Sequence, residues 1–300
     1  DLPIRQLGLG EDAYPDHASR LRFAERLTAR LESDPSVLAA TITTEVPLDP
    51  PMSIPFAVEG DDVTTDREFG TGIVTVSPSY FSVFGVEPSE GRIFDERDRA
   101  GGPPVAIVNE TFAELYLAGR GAVGSRVRLG DAEGDEPWLS VVGVVPDLWD
   151  RAGTRAREAG VYVPLSQSGT LDPTVRLGRW GLRFQTVALR VRDGGAGPAD
   201  LMRSSVYELD GSLPVRQVQS MADVVGQRMG RYHIWGRFYL AFAAASLLLA
   251  ALGIYGVLSF GVTVRTAEIG VRRALGASAR SVQAEVLWLA ATRIGAGLVL

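Results

Sequence analysis

Two histidines, three crowded carboxylates and one acidic loop are the side chains of this 300-residue chain most able to do chemistry. His17 lies near the N-terminus and His233 at the edge of a long apolar run. A hydrolytic triad needs an imidazole beside a nucleophile, and neither histidine falls in a G-x-S-x-G, an H-E-x-x-H or a comparable frame. No dinucleotide fingerprint follows a strand. Asp95, Glu96 and Asp98 crowd a turn. Such a set can supply a general acid and a base, but a solvated charge cluster is the expectation. The loop 130–137, GDAEGDEP, has the acidity of a calcium site without the ligand spacing of an EF-hand, so a solvated hairpin tip is expected.

What is missing narrows the chemistry further. All 30 basic residues are arginine, so no Walker lysine and no Schiff-base lysine exists. The chain is therefore not itself an ATPase of the phosphate-loop kind. The absence of cysteine removes disulfides, thiolate nucleophiles and zinc–cysteine sites, and leaves the compartment undecided. The expectation is a chain that is not an enzyme and holds no cofactor or metal of its own.

The dominant element is physical rather than chemical. Positions 238–264 run 27 residues without a charged side chain, with Arg237 before them and Arg265 directly after. At ~1.5 Å per residue this helix outspans a hydrocarbon core of ~30 Å, with slack for tilt. A buried core helix is the alternative, but such helices rarely exceed ~20 residues without a polar side. Charge divides at the same point. Residues 1–237 carry 25 Arg against 34 acidic residues, net −9, and residues 238–300 carry 5 Arg against 2 Glu, net +3. An acidic block argues against nucleic acid as partner. A second apolar stretch, 286–300, is too short to span and holds Arg293. The sequence is expected to be a piece of a longer polypeptide cut within its next membrane helix, with a reentrant or interfacial end as the alternative.

The water-facing block alternates helical and extended patterns. Phe23, Ala24, Leu27 and Leu31 share a helical face that Pro35 ends. Leu38, Ala40 and Ile42 alternate with Ala39, Thr41 and Thr43, the pattern of a half-buried strand. The proline-rich 47–55 breaks this pattern and suits a subdomain boundary. A strand around 73–76 follows, and Ser77-Pro78 suits an N-cap and first helical position. Strands are predicted at 105–108, 126–129, 138–145 and 161–165, and Asn109 is predicted to cap a helix burying Phe112, Leu115 and Tyr116, with Gly119 as its stop. Val187, Leu189 and Val191 mark another strand. Pro198 opens a helix with Met202, Val206 and Leu209 inward, and Leu213-Pro214-Val215 begins a short strand. Ser220 with Asp223 resembles a capping box. Segments 18–45 and 183–230 thus read as two pieces of one α/β unit with 47–182 inserted between them, an α+β architecture.

The segment after the apolar run, RTAEIGVRRALGA at 265–277, is amphipathic. Ile269, Arg272 and Arg273 fall on different faces from Val271, Ala274 and Leu275; Gly276 can end the helix and Ser278 can cap the next. A basic amphipathic segment beside a membrane lies on an anionic leaflet or docks a partner. Arg265, Arg272, Arg273 and Arg280 outnumber Arg228, Arg231 and Arg237, which puts the C-terminal flank inside by a small margin. Ala241, Ala245, Ser246, Ala250, Gly253 and Gly256 would permit close helix–helix packing.

This run closely resembles the permease signature of the MacB/FtsX-like ABC transporter family. Upstream, VSPSYFSVFGVEPSEGRIFDERD, VAIVNETFA, VGSRVRLG, WLSVVGVVPDL, VYVPLSQ and LDGSLPVRQVQSMADVV resemble that family's periplasmic core domain, in its order and over about 70–300. The set looks most like long orphan permeases that carry two such units. The resemblance implies an α+β periplasmic domain, with a porter-like subdomain (1–46 and 183–230) and an inserted second subdomain (47–182), followed by an α-helical transmembrane region. A stalk at about 220–237 would lead into a stalk end and membrane helix at 231–264, a cytoplasmic coupling segment at 265–284 and the start of the next membrane helix at 285–300. It implies a multi-pass inner-membrane permease subunit whose ATP is bound by a separate ABC-type ATPase. Membrane lipid and a homodimer or pseudo-dimer through a duplicated unit would be its other partners. Glu268, Ile269, Arg272, Arg273 and Leu275 would form the ATPase-coupling surface, with lipid-headgroup anchoring as the alternative for the two arginines. A membrane-anchored periplasmic sensor or scaffold without an ATPase partner is the rival reading.

Overall fold

The computed structural model describes residues 2–10, 12–47, 51–60, 70–130, 136–148, 158–170, 184–192, 197–215 and 218–275. They fall in two compact units, Asp1–Met229 and Gly230–Leu300.

The first unit opens with β1 (Pro3–Gly8), α1 (His17–Glu32) and β2 (Val37–Thr43). Asp16 starts α1 by accepting from the Ser19 amide at 2.6 Å, satisfying an N–H that has no partner within the helix. Two short strands follow, β3 (Met52–Ile54) and β4 (Phe56–Val58), then β5 (Thr71–Val76), α2 (Tyr80–Phe84) and β6 (Glu90–Gly91). Next come β7 (Val105–Asn109), α3 (Glu110–Tyr116), β8 (Arg126–Leu129), β9 (Leu139–Val145) and β10 (Gly160–Pro164). The unit closes with β11 (Phe184–Val191), α4 (Pro198–Leu209), β12 (Gln219–Ser220) and the beginning of α5 (Met221–Val264).

The strands form one sheet in the order β12-β1-β11-β2-β5-β10-β7-β9-β8-β4, with β3 on β5 and β6 on β9. β11 lies antiparallel between β1 and β2, aligning Ala188 with Ile4 and with Thr41. Here α1 and α4 bury Phe23, Leu27, Leu31, Met202 and Val206 against Leu7, Ile42, Val187 and Leu189. Further along the sheet, β5 and β10 are parallel, as are β7 and β9. Phe112 on α3 joins Val108, Val127, Val141 and Val161 in a second core, while α2 contributes Tyr80 and Phe81 to a third with Val74, Val76 and Tyr162. β2 and β5 meet through the single pairing of Thr43 with Val76. Hydroxyls reinforce that seam: Thr41 Oγ1 and Ser77 Oγ lie 2.8 Å apart, the Ile42 amide donates to Ser77 Oγ at 3.2 Å, and the Thr75 amide donates to Thr44 Oγ1 at 3.1 Å.

Several local expectations are revised. Ser77 is occupied by this seam, so α2 starts later, behind Ser79. β2 does not alternate, because α1 covers one face and α2 the other; Thr41 and Thr43 are buried and Leu38 is exposed. Leu115 is 62 % exposed, and Thr111 takes the buried place beside Phe112. α3 ends at Tyr116, before Gly119. The proline-rich stretch contains β3 and β4, with Pro51 and Pro55 at strand ends, where a missing N–H costs the ladder nothing. Leu213 and Val215 are buried from a turn, and the strand lies later, at β12.

Candidate functional site

The carboxylate cluster is structural in form. Asp98 is 5 % exposed and accepts from Arg92 Nη1 at 2.6 Å, Arg92 Nη2 at 2.9 Å and the Asp95 amide at 2.9 Å. Asp95 also receives Arg97 Nη2 at 2.7 Å, and hydrogen bonds from that side chain hold its carboxyl well below the usual range. With Asp98 and Asp95 both engaged, the turn lacks a free acid–base pair. It is also less solvated than the charge pattern alone suggests.

His17 stands at the start of α1, half-buried, with neither ring nitrogen hydrogen-bonded. Gly169 packs on the imidazole so closely that a Cβ there would sit 2.6 Å from Cδ2. Burial, reinforced by the Arg20 charge and opposed by Asp16, pushes its pKa down. No hydroxyl nucleophile bonds to it. The side chain of His233 and positions 131–135 of the acidic loop lie outside the described residues. Among the described residues no group of three His, Asp or Glu could hold a metal.

The arrangement with mechanical meaning lies at the start of α5. β12 pairs antiparallel with β1, setting Ser220 opposite Pro3 and Gln219 opposite Ile4. The Met221 amide donates to the Leu2 carbonyl at 2.9 Å. Ser220 Oγ accepts from the Asp223 amide at 3.1 Å, and Asp223 Oδ2 accepts from the Ser220 amide at 3.4 Å, the reciprocal box expected from sequence. Met221 and Val224 pack against Ile4, Val46, Val83 and Ala188. α5 is thus fastened to the sheet by backbone, cap and apolar contact.

In the second unit α5 presents 29 apolar-rich residues, Gly236–Val264, and none of their most apolar window is buried within the protein. Phe242, Leu248, Leu252 and Phe260 all face outward. Such a surface requires a non-aqueous environment or a partner. α5 stops before Arg265, where Thr266 Oγ1 donates to the carbonyls of Val262 and Thr263 at 2.9 Å each, and α6 (Thr266–Ala274) follows.

A family model, that of the MacB-like periplasmic core domain, matches residues 14–200. The chain belongs to the MacB-like family. The match runs from the residues before α1 into the first turn of α4. The Macrolide export ATP-binding/permease protein MacB of Bdellovibrio bacteriovorus is 25% identical over 232 residues, covering 74% of this chain and 33% of that protein. The protein of the same name from Escherichia coli K12 is 25% identical over 214 residues, covering 71% and 31%. This MacB-like chain therefore spans about a third of the length of these curated relatives. Among solved structures, the periplasmic region of MacB from Actinobacillus actinomycetemcomitans matches with TM-score 0.46 and 18% identity, over 76% of this chain and 92% of that one. The extracellular domain of the noncanonic ABC-type transporter YknZ from Gram-positive bacteria matches with TM-score 0.44 and 15% identity, over 73% and 100%.

In this MacB-like chain, Glu268, Ile269, Arg272 and Arg273 fall within the helical backbone of α6, and their side chains lie outside the described set. Leu275, just past α6, is 83 % exposed. Ala241, Ala245, Ser246, Ala250, Gly253 and Gly256 are exposed positions of α5. Sequence reading found the cap at Ser220 but missed β1 and its pairing with β12. β1 shows only Ile4 and Leu7 as apolar signals, between Pro3 and Gly8.

Proposed function

We propose that this chain is the periplasmic part and adjoining membrane helix of a permease-type ABC transporter subunit, multi-pass in the inner membrane. A separate ATPase subunit would supply the energy, and this chain would carry the resulting movement rather than perform chemistry. In this reading 1–46 with 183–230 form a porter-like subdomain and 47–182 an inserted one. Residues 231–264 are stalk end and membrane helix, 265–284 the cytoplasmic coupling segment, and 285–300 the start of another membrane helix. Glu268, Ile269, Arg272, Arg273 and Leu275 would meet the ATPase. The small residues of α5 would pack against a second copy or a duplicated unit of the same chain. The observation that carries the reading is α5 itself: it starts fastened to the sheet at Ser220 and continues as one helix into an exposed apolar stretch. The curated relatives' names, which include a permease, support the permease part of this assignment.

Single-cysteine labelling tests the topology, since these 300 residues contain no native cysteine. In the full-length protein with any other cysteine replaced, Ser204→Cys should react with a membrane-impermeant maleimide from outside the inner membrane. Leu275→Cys should react only after permeabilisation. Labelling of both from one side would refute the span.

A further inference from the structure

The seam between the two halves of the sheet carries one ladder pairing, yet apolar side chains cross it continuously. Met221 and Val224, three positions apart on α5, pack against a cluster containing Ile4, Val46, Val83 and Ala188. Val83 and its neighbour Phe84 belong to α2, which is part of 47–182. Phe84 packs against this cluster and also against the core built on Val74, Val76, Tyr80 and Tyr162. Its ring lies 4.9 Å from that of Tyr80, which in turn is 5.9 Å from Tyr162 on β10. Arg190 of β11 also stands beside the end of α2. Gly85 adopts φ +68°, and a Cβ there would meet Arg190 Nη2 of β11 at 2.8 Å. This places a cation where the helix carbonyls leave partial negative charge.

Close-packed interiors pass displacement on rather than absorbing it. We infer that Val83 and Phe84 of α2 couple the first turn of α5 to the 47–182 half of the sheet, making α2 a positioning element between helix and distal half. The inference rests on the mechanical reading above. It goes further by naming the shared apolar cluster through which the helix reaches the part of the domain it does not touch through the backbone ladder. A coupling of this kind is reciprocal: loosening either end loosens the other.

The test is hydrogen exchange, read by mass spectrometry, on the full-length protein in phosphatidylethanolamine–phosphatidylglycerol nanodiscs. Met221→Ala with Val224→Ala should speed exchange in α2 about tenfold, equal to roughly 1.4 kcal/mol, and leave α3 within about twofold. Val83→Ala should reciprocally speed exchange at the start of α5. Phe84→Leu, which keeps an apolar side chain at the junction, should be non-additive with Val224→Ala in the same readout. Unchanged exchange in α2 when the α5 contacts are removed would overturn the inference and leave the membrane reading standing. Equal acceleration in α3 would make the effect global and overturn it likewise. Failure of the membrane reading shows separately, as unprotected amides across 238–264, and would remove the basis of the inference with it.

Discussion

Replacing Asp98 by alanine should destabilise the first unit far more than replacing Asp95, although the two stand three positions apart in one acidic turn. Asp98 takes both terminal nitrogens of Arg92 and the Asp95 amide. Removing one partner of a fully buried ion pair costs ~3–5 kcal/mol. Two features lower that figure here: the Arg92 side chain is 35 % exposed, and Asp95 Oδ2 already lies 3.4 Å from it and can take up part of the charge. The expected loss is therefore about 2–3 kcal/mol, including the stranded Asp95 amide. Asp95 itself is paired with Arg97, whose side chain is largely in solvent, so Asp95→Ala should cost clearly less. In a unit of this size each kcal/mol moves the melting temperature by ~2–4 °C, which predicts a drop of roughly 4–12 °C for Asp98→Ala and a smaller one for Asp95→Ala. Thermal unfolding of the full-length protein in nanodiscs, followed by tryptophan fluorescence, reads the difference. Equal losses for the two variants, or a loss below ~1 kcal/mol for Asp98→Ala, would refute the assignment of a buried clamp.

Three further outcomes follow from the same structure. Gly143→Ala should cost about 2–3 kcal/mol in urea unfolding, because a Cβ there would overlap the Arg92 carbonyl oxygen where β6 meets β9; the comparison is Gly236→Ala, which meets nothing. His17 has its pKa depressed below the ordinary 6.5, so the unfolded chain binds more protons between the folded value and 6.5. Stability should therefore be full above that pH and fall as pH drops below it. The urea midpoint should decline between pH 7.5 and 5.5 in wild type and less in His17→Gln; an equal decline would exclude His17 as the source. Leu248→Arg places a guanidinium near the middle of the apolar stretch and should oppose membrane insertion by ~2.5–3.5 kcal/mol, measured as the inserted fraction in a translocon assay. Unaltered insertion would count against a span.

How much of this could be read from the residues depended on whether the signal was local. Phe23, Leu27 and Leu31 repeat at helical spacing, and α1 buries them. Asn109 caps α3 as its position suggested, its Oδ1 taking the Phe112 amide at 2.9 Å. The Ser220–Asp223 box marks where α5 begins. The ordered motifs from 70 onward pointed to the MacB-like family, and the family match bears that out. Long-range pairing was not legible. β1 lies beside β11, which follows it by about 180 positions, and nothing within 3–8 announces that partner. β3 and β4 were hidden by flanking prolines, which are tolerated because these strands occupy margins of the sheet. Within the acidic turn only the burial of Asp98 went unread, because charge pattern does not reveal the Arg92 clamp on it or that Gln167 ties the neighbouring loop down, donating to the Arg99 and Pro103 carbonyls at 3.3 and 3.0 Å. The apolar junction at Met221, Val224 and Phe84 was missed for a similar reason: its members come from segments far apart in the chain and form a pattern only in space.

In the proposed function α6 meets an ATPase while α5 carries the movement to the sheet. That arrangement is tested most directly by placing a photo-crosslinking amino acid at position 273 of the full-length protein in its native membrane and identifying the adduct by mass spectrometry. The expected adduct is an ABC-type ATPase subunit. Capture of lipid alone, or of a periplasmic protein, would contradict the arrangement.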